Sequence, residues 1–211
     1  MCSSDLQLFW LAALPALAGA TLRIFYAFMV PIFGGRLWTT LSTWSLLIPA
    51  LGIGWAVQNA TYYSADRYLK SEGPEGLRRT PPLKTGLALG VNMGMGTDAH
   101  RVMDPNPFVS LQWAIDGLSV DGMPTRQKPH LLDREQALRA YTQGSAWFSH
   151  EENERGRLAV GQRADLALLN GSYLKIETSR IHTLSADMTW VSGLLVHDAT
   201  GRPSHTIKEK P

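Results

Sequence analysis

A single cysteine, Cys2, stands in 211 residues. It leaves no partner for an intramolecular disulfide and no thiolate cluster for a metal, and it suits a reducing compartment. Net charge is only +2, with no basic stripe, so nucleic acid is not an expected partner. The six histidines include no two in His-x-His spacing. No internal repeat, heptad run or low-complexity tract is present. Charge is itself scarce in one stretch: between Asp5 and Asp66 only Arg23 and Arg36 carry it, whereas the remainder is charged like an ordinary soluble domain. The composition boundary near Gln58 is the one candidate domain junction.

Two apolar runs, residues 6–33 and 38–57, flank the turn Gly34-Gly35-Arg36. Each reaches the ~20 residues that cross ~30 Å of hydrocarbon at 1.5 Å per residue. They predict an all-α transmembrane hairpin over residues 1–58, with membrane lipid as its surroundings and Arg36 favouring the cytoplasmic side. A signal peptide does not fit, because its apolar region would be shorter and followed by a small-residue cleavage site. A pair of buried helices in a large soluble core is the alternative. Arg23 falls in the middle of the first run, where a charge costs at least ~2.5 kcal/mol on insertion scales. It requires an anion or carboxylate in a polar cavity, unless the span ends near Arg23 and the charge lies at the interface. Ala18, Gly19 and Ala20 would let another helix approach closely.

Gly19-Ala-Thr-Leu-Arg23, Phe28-Met-Val-Pro-Ile-Phe-Gly-Gly-Arg36, Trp38-Thr-Thr-Leu-Ser-Thr43 and Leu47-Ile-Pro-Ala-Leu-Gly-Ile-Gly54 resemble the second and third transmembrane helices of nitrate/nitrite porters of the major facilitator superfamily. The resemblance implies that Arg23 binds nitrate and that the hairpin belongs in an inner membrane. Phe25 and Leu37 depart from the family pattern, where proline and a second arginine are common. Alternating access needs two repeats rocking about a central site, so a hairpin alone would not transport.

Past the junction, local signals predict alternating helices and strands. Ser64 can cap a short helix through Lys70, stopped by Gly73. A helical segment over 83–89 and a turn at Gly90 lead into Val91-Asn-Met-Gly-Met-Gly-Thr-Asp98, which reads as a short buried strand ending in a carboxylate. Asn106-Pro107 opens a helix to about Gly117, and Asp133 with Gln136 forms a capping-box start for a helix reaching Gln143. Residues 164–169, 188–191 and 194–197 read as strands, the last two joined by a tight Ser192-Gly193 turn. The fold class expected is α/β.

Arg79-Thr-Pro-Pro-Leu83, Gly96-Thr-Asp98-Ala99, Asn106-Pro-Phe-Val-Ser-Leu111, Leu132-Asp-Arg-Glu-Gln-Ala-Leu-Arg-Ala-Tyr-Thr142, Gly144-Ser-Ala-Trp-Phe-Ser149 and Gly156-Arg-Leu-Ala-Val-Gly-Gln-Arg-Ala-Asp165 resemble the C-terminal part of metal-dependent amidohydrolases, in the YtcJ-like branch (amidohydrolase family 3). The likeness runs from about Asn59 to about Val196. It implies the C-terminal part of a TIM-like barrel over 59–160, including its last strand, and β-sandwich strands over 161–211. It also implies a divalent metal, zinc above all, and hydrolysis of the C–N bond of a small-molecule substrate. Asp98 takes the place of the aspartate that ends the family's last barrel strand, a metal ligand and proton relay.

The family's other ligands, a His-x-His pair, a lysine and further histidines, have no counterpart here. His100 follows Asp98 at a spacing that fits a loop. His130, His150, His182, His197 and His205 read as solvated side chains, Trp113 and Trp147 as core, and Asp165 as a signature of the sandwich return. Asn59-Ala-Thr61 and Asn170-Gly-Ser172 match the glycosylation triplet without any sign of secretion. Residues 1–6 read as the translation of the end of a common sequencing adapter. The expectation is therefore a fragment or chimeric reading frame: an amidohydrolase portion inactive alone, cytoplasmic by its composition, joined to a transporter portion. A genuine fusion that pairs with separately encoded fragments is the rival.

Overall fold

In the computed structural model of the chain, residues 52–99 and 103–201 are described. The apolar run over 6–33, Arg23, most of the 38–57 run, His100 and His205 lie outside them. No helix among the described residues is long and apolar enough to cross a membrane.

The first element is a strand, β1 (Gly54–Gln58). This corrects the expectation that the second apolar run stays helical to Val57. An unbroken apolar run does not distinguish a buried strand from a buried helix, and tertiary pairing decides here. β1 lies parallel to β2 (Asn92–Gly96), in register from Gly54↔Asn92 to Gln58↔Gly96. Parallel strands need a crossover, supplied by α1 (Thr61–Arg78) and α2 (Leu83–Ala88). Ser64 and Gly73 interrupt α1 rather than bounding it: Ser64 has φ −115° and Gly73 has φ 70°, with Pro74 restarting the helix. The register puts Trp55, Val57, Met93 and Met95 on one face of the pair and Gly54, Ala56 and Gly94 on the other.

α3 (Pro107–Asp116) begins as its sequence dictates: the Asn106 side chain accepts from the Phe108 N–H, Pro107 opens the helix, and Gly117 ends it at φ 68°. Arg126 also caps this end, donating to the Trp113 carbonyl while its guanidinium stacks on the Trp113 ring, 3.9 Å from the centroid. Burial pulls its pKa down to about 9, opposed by Asp116. α4 (Arg134–Arg139) starts with the expected capping box of Asp133 and Gln136. It widens into a π-helical segment (Ala140–Gly144) and continues as α5 (Ser145–Phe148).

The glycines of the β1–β2 pair explain how this helix docks. A Cβ on Gly54 would meet Trp147 at 2.5 Å and one on Gly94 would meet Phe148 at 2.7 Å. The Trp147 and Phe148 rings, edge to face at 5.1 Å, therefore lie directly against the sheet. The Met93-bearing face joins the main core with Leu83, Leu111, Trp113, Leu132, Ala137, Ile181 and Leu184.

The C-terminal portion is an antiparallel meander of β3 (Leu166–Leu169), β4 (Ala186–Val191) and β5 (Leu194–Asp198). Ser192 (φ 52°) and Gly193 (φ 80°) form the expected tight turn. Asp165 accepts from the Ser192 N–H at 2.7 Å and Arg163 donates to the Ser192 hydroxyl at 3.0 Å. Asp165 is thus a turn anchor. The connection between β3 and β4 is tied to the helices by His182, whose N–H donates to Gln112 at 3.0 Å, and by Arg134, which donates to the Tyr173 and Ile176 carbonyls.

Candidate active site

Parallel pairing sends the C-terminal ends of β1 and β2 to the same edge, where the chain delivers Asn59 after one strand and Thr97 and Asp98 after the other. Asp98 is exposed and has φ 49°. Left-handed backbone is uncommon for a residue with a Cβ, although aspartate tolerates it better than most.

Beside it lies a polar cluster that sequence reasoning missed. Asn59 is 1% exposed and donates through Nδ2 to the Ser110 hydroxyl at 3.1 Å; Ser110 is 0% exposed. Burial pushes the Tyr141 phenol up, with the neighbouring Ser110 and Thr97 side chains opposing the shift. The Oδ1 of Asn59 and the hydroxyl of Thr61 are buried with no hydrogen-bond partner among the described residues. Asn59 is consequently a structural residue, too enclosed to accept a glycan. Its triplet was visible in sequence, but its partners lie far along the chain.

The other sequence candidates are dispersed. His130 belongs to a 3₁₀ turn, His150 follows α5, His182 is held by Gln112 and His197 is in β5. Trp113 is core, as expected. A cavity of about 270 Å³ runs along α3, lined by Tyr62, Gln112, Asp116, Ser119 and His182 among others. Asp98 does not line it, so it is separate from the strand-end edge. Burial raises the Asp116 carboxyl there, opposed by hydrogen bonds from the Leu118 N–H and the Gln112 amide.

Among the described residues no three His, Cys, Asp or Glu side chains are grouped to hold a metal ion. A catalytic zinc needs about three protein ligands with an open position. The described residues do not by themselves fit a metal centre.

A βαβ unit with a carboxylate past the C-terminal end of its second strand, followed by helices and an antiparallel sheet, is an α/β arrangement. Residues 48–197 match the amidohydrolase family, and the chain belongs to it. It is 28% identical over 117 residues to the putative amidohydrolase YtcJ of Bacillus subtilis, covering 54% of this chain and 22% of that one. Its fold resembles an uncharacterized metal-dependent hydrolase from Pyrococcus horikoshii (TM-score 0.54, 21% identity, 65% of this chain and 28% of that one). It also resembles an adenosine deaminase from Xanthomonas campestris with bound zinc (TM-score 0.52, 21% identity, 73% and 34%).

A second likeness accompanies the first. The chain is 61% identical over 56 residues to a probable nitrate/nitrite antiporter, NarK2, of Thermus thermophilus, covering 26% of this chain and 13% of that one. It is 35% identical over 193 residues to the nitrate/nitrite transporter NarU of Salmonella typhimurium, covering 80% and 42%. The chain thus spans less than half the length of these curated relatives. The two likenesses fall on partly different regions.

Proposed function

We propose that residues from about 48 onward are the C-terminal part of a metal-dependent amidohydrolase acting on C–N bonds. In this reading β1 and β2 are the last two strands of a TIM-like barrel, and β3, β4 and β5 belong to the appended β-sandwich. The observation that carries it is the parallel β1–β2 pair with Asp98 just past the shared C-terminal edge. Asp98 contributes one metal ligand and the proton-relay carboxylate, and the remaining ligands belong to a portion of the fold outside the described residues. In this reading β1 belongs to the amidohydrolase portion, so the junction expected near Gln58 would fall upstream of Gly54.

The chain alone is therefore expected not to hydrolyse amides, even with zinc or manganese supplied. A broad amide panel assayed with each metal tests this. Metal-dependent turnover that disappears in Asp98→Ala would show that the chain completes the site itself.

A second reading is favoured by the 61% identity to the Thermus antiporter: residues 6 to about 50 derive from a nitrate/nitrite transporter in which Arg23 binds the anion. Two unrelated families in one chain support a chimeric reading frame. Uniform read coverage across the codons that join the two portions, and across the first six, would instead establish one natural gene.

A further inference from the structure

We infer a second binding site, separate from the Asp98 edge, in the cavity along α3: it takes a small ligand bearing a primary ammonium group, held between the Asp116 carboxylate and the His182 imidazole. The inference does not depend on the reading of Asp98, and its test needs neither metal nor hydrolysis.

The cavity, about 270 Å³, is assembled from separate pieces of chain. α3 supplies Gln112, Trp113 and Asp116, α1 supplies Tyr62, and the 3₁₀ turn Thr178–Thr183 supplies His182. The loop after Gly117 completes it. Ser119 closes that loop, its N–H donating to the Met123 carbonyl and its hydroxyl accepting from the Met123 N–H. The Val120 N–H pins it to α1 through the Tyr62 carbonyl at 2.9 Å. One amide aligns the polar groups. The His182 backbone N–H can only donate, so the Gln112 atom it meets at 3.0 Å is Oε1, which leaves the Gln112 Nε2 to donate to Asp116 Oδ2 at 3.1 Å. An amide oxygen only accepts, so the His182 Nδ1 that lies 2.9 Å from it carries a hydrogen. The neutral ring then keeps its lone pair on Nε2, which has no partner among the described residues. Asp116 accepts one hydrogen bond at each oxygen, from Gln112 and from the Leu118 N–H, and each carboxylate oxygen has room for a second. The cavity thus presents two open acceptors, one amide apart, among walls that include Tyr62, Val109, Trp113 and Leu118. Arg126 does not fill the role of the missing cation: it is 4% exposed, stacks on the Trp113 ring and donates to the Trp113 carbonyl. A metal ion matches less well, because no three His, Cys, Asp or Glu side chains are grouped among the described residues. An ammonium brings its own three donors. Burial raises the Asp116 carboxyl, and a bound cation would offset that desolvation.

The test is a titration of the isotope-labelled full chain in detergent with benzylamine at neutral pH, read by chemical shifts. Benzoate and benzyl alcohol serve as the anionic and neutral controls with the same ring. Benzylamine should give saturable shifts centred on Gln112, Asp116 and His182. It should bind at least about tenfold more tightly than either control, the worth of one charge-assisted hydrogen bond. Asp116→Asn keeps the side-chain shape and an acceptor for the Leu118 N–H but removes the charge. It should weaken benzylamine at least about tenfold and leave benzyl alcohol within about twofold, which a merely structural role for Asp116 would not do. His182→Ala, which keeps the backbone bond to Gln112 and removes Nε2, should also weaken benzylamine and stands in if Asp116→Asn does not fold. If neither variant folds, the three ligands compared on the wild type decide. Benzylamine shifts that do not saturate, that fall on the terminal sheet or that benzoate reproduces would overturn the proposal, as would Asp116→Asn binding benzylamine like the wild type.

Discussion

At the scale of single residues, the buried groups set how stability responds to alkali. Burial pushes the Tyr173 phenol up to about 12 from an ordinary 10.0, with Arg134 opposing and Asp133 adding to the shift. A group whose folded pKa is raised contributes stability that is fully present below its unfolded pKa and lost as pH rises through the folded one. Arg126 works in the opposite sense: its folded pKa is lowered to about 9, so its burial is less unfavourable above that pH. Comparing urea midpoints of the wild type and Tyr173→Phe isolates the tyrosine. The wild type should lose stability relative to the variant between pH 10 and 12. A difference that stays flat over that window would show that the phenol is not held neutral by burial.

At the scale of elements, the contrast between α3 and β1 shows what could be read from residue order. Asn106, Pro107 and Gly117 state where α3 begins and ends through local chemistry alone, and Asp133 with Gln136 does the same for α4. Asn106→Ala should cost about 1 kcal/mol, the usual worth of an N-cap, in a denaturant titration. A change under a few tenths would mean that the Phe108 N–H finds another acceptor. β1 carries no such local mark, since its apolar residues continue the run before it and its identity as a strand comes from Met93 and its neighbours in β2. The buried Asn59–Ser110 contact was hidden for the same reason: Asn59 follows β1 and Ser110 lies in α3. Asp98 itself was readable because its motif is contiguous, and the Ser192-Gly193 turn because two residues of that type admit positive φ.

For the whole molecule, the apolar side chains left on the surface are the informative feature. Leu158, Val160, Leu168, Leu194 and Val196 are all exposed, and they fall around and within the terminal sheet. Scattered exposed apolar residues are normal, but a concentration of them marks surface suited to contact. The double substitution Leu168→Lys with Leu194→Lys should lower hydrophobic-dye fluorescence of the full chain in proportion to the surface removed. It should change stability by less than about 0.5 kcal/mol, as surface substitutions do. An unfolding midpoint that drops steeply would show that these leucines are packed rather than presented. Dye binding and the amide panel answer separate questions, one about surface and one about chemistry.

The parallel pairing of β1 with β2 also dictates an order of assembly. β1 leaves the ribosome first, yet its backbone bonds wait until both crossover helices and then β2 have been made. Parallel partners so separated must close a long loop before any contact offsets its entropy. The β4–β5 hairpin is made last but needs only the tight Ser192-Gly193 turn, with β3 joining it across residues 170–185. The final strands to be synthesised are accordingly positioned to order before the first, and the edge that bears Asp98 should be the slowest part of the molecule to mature.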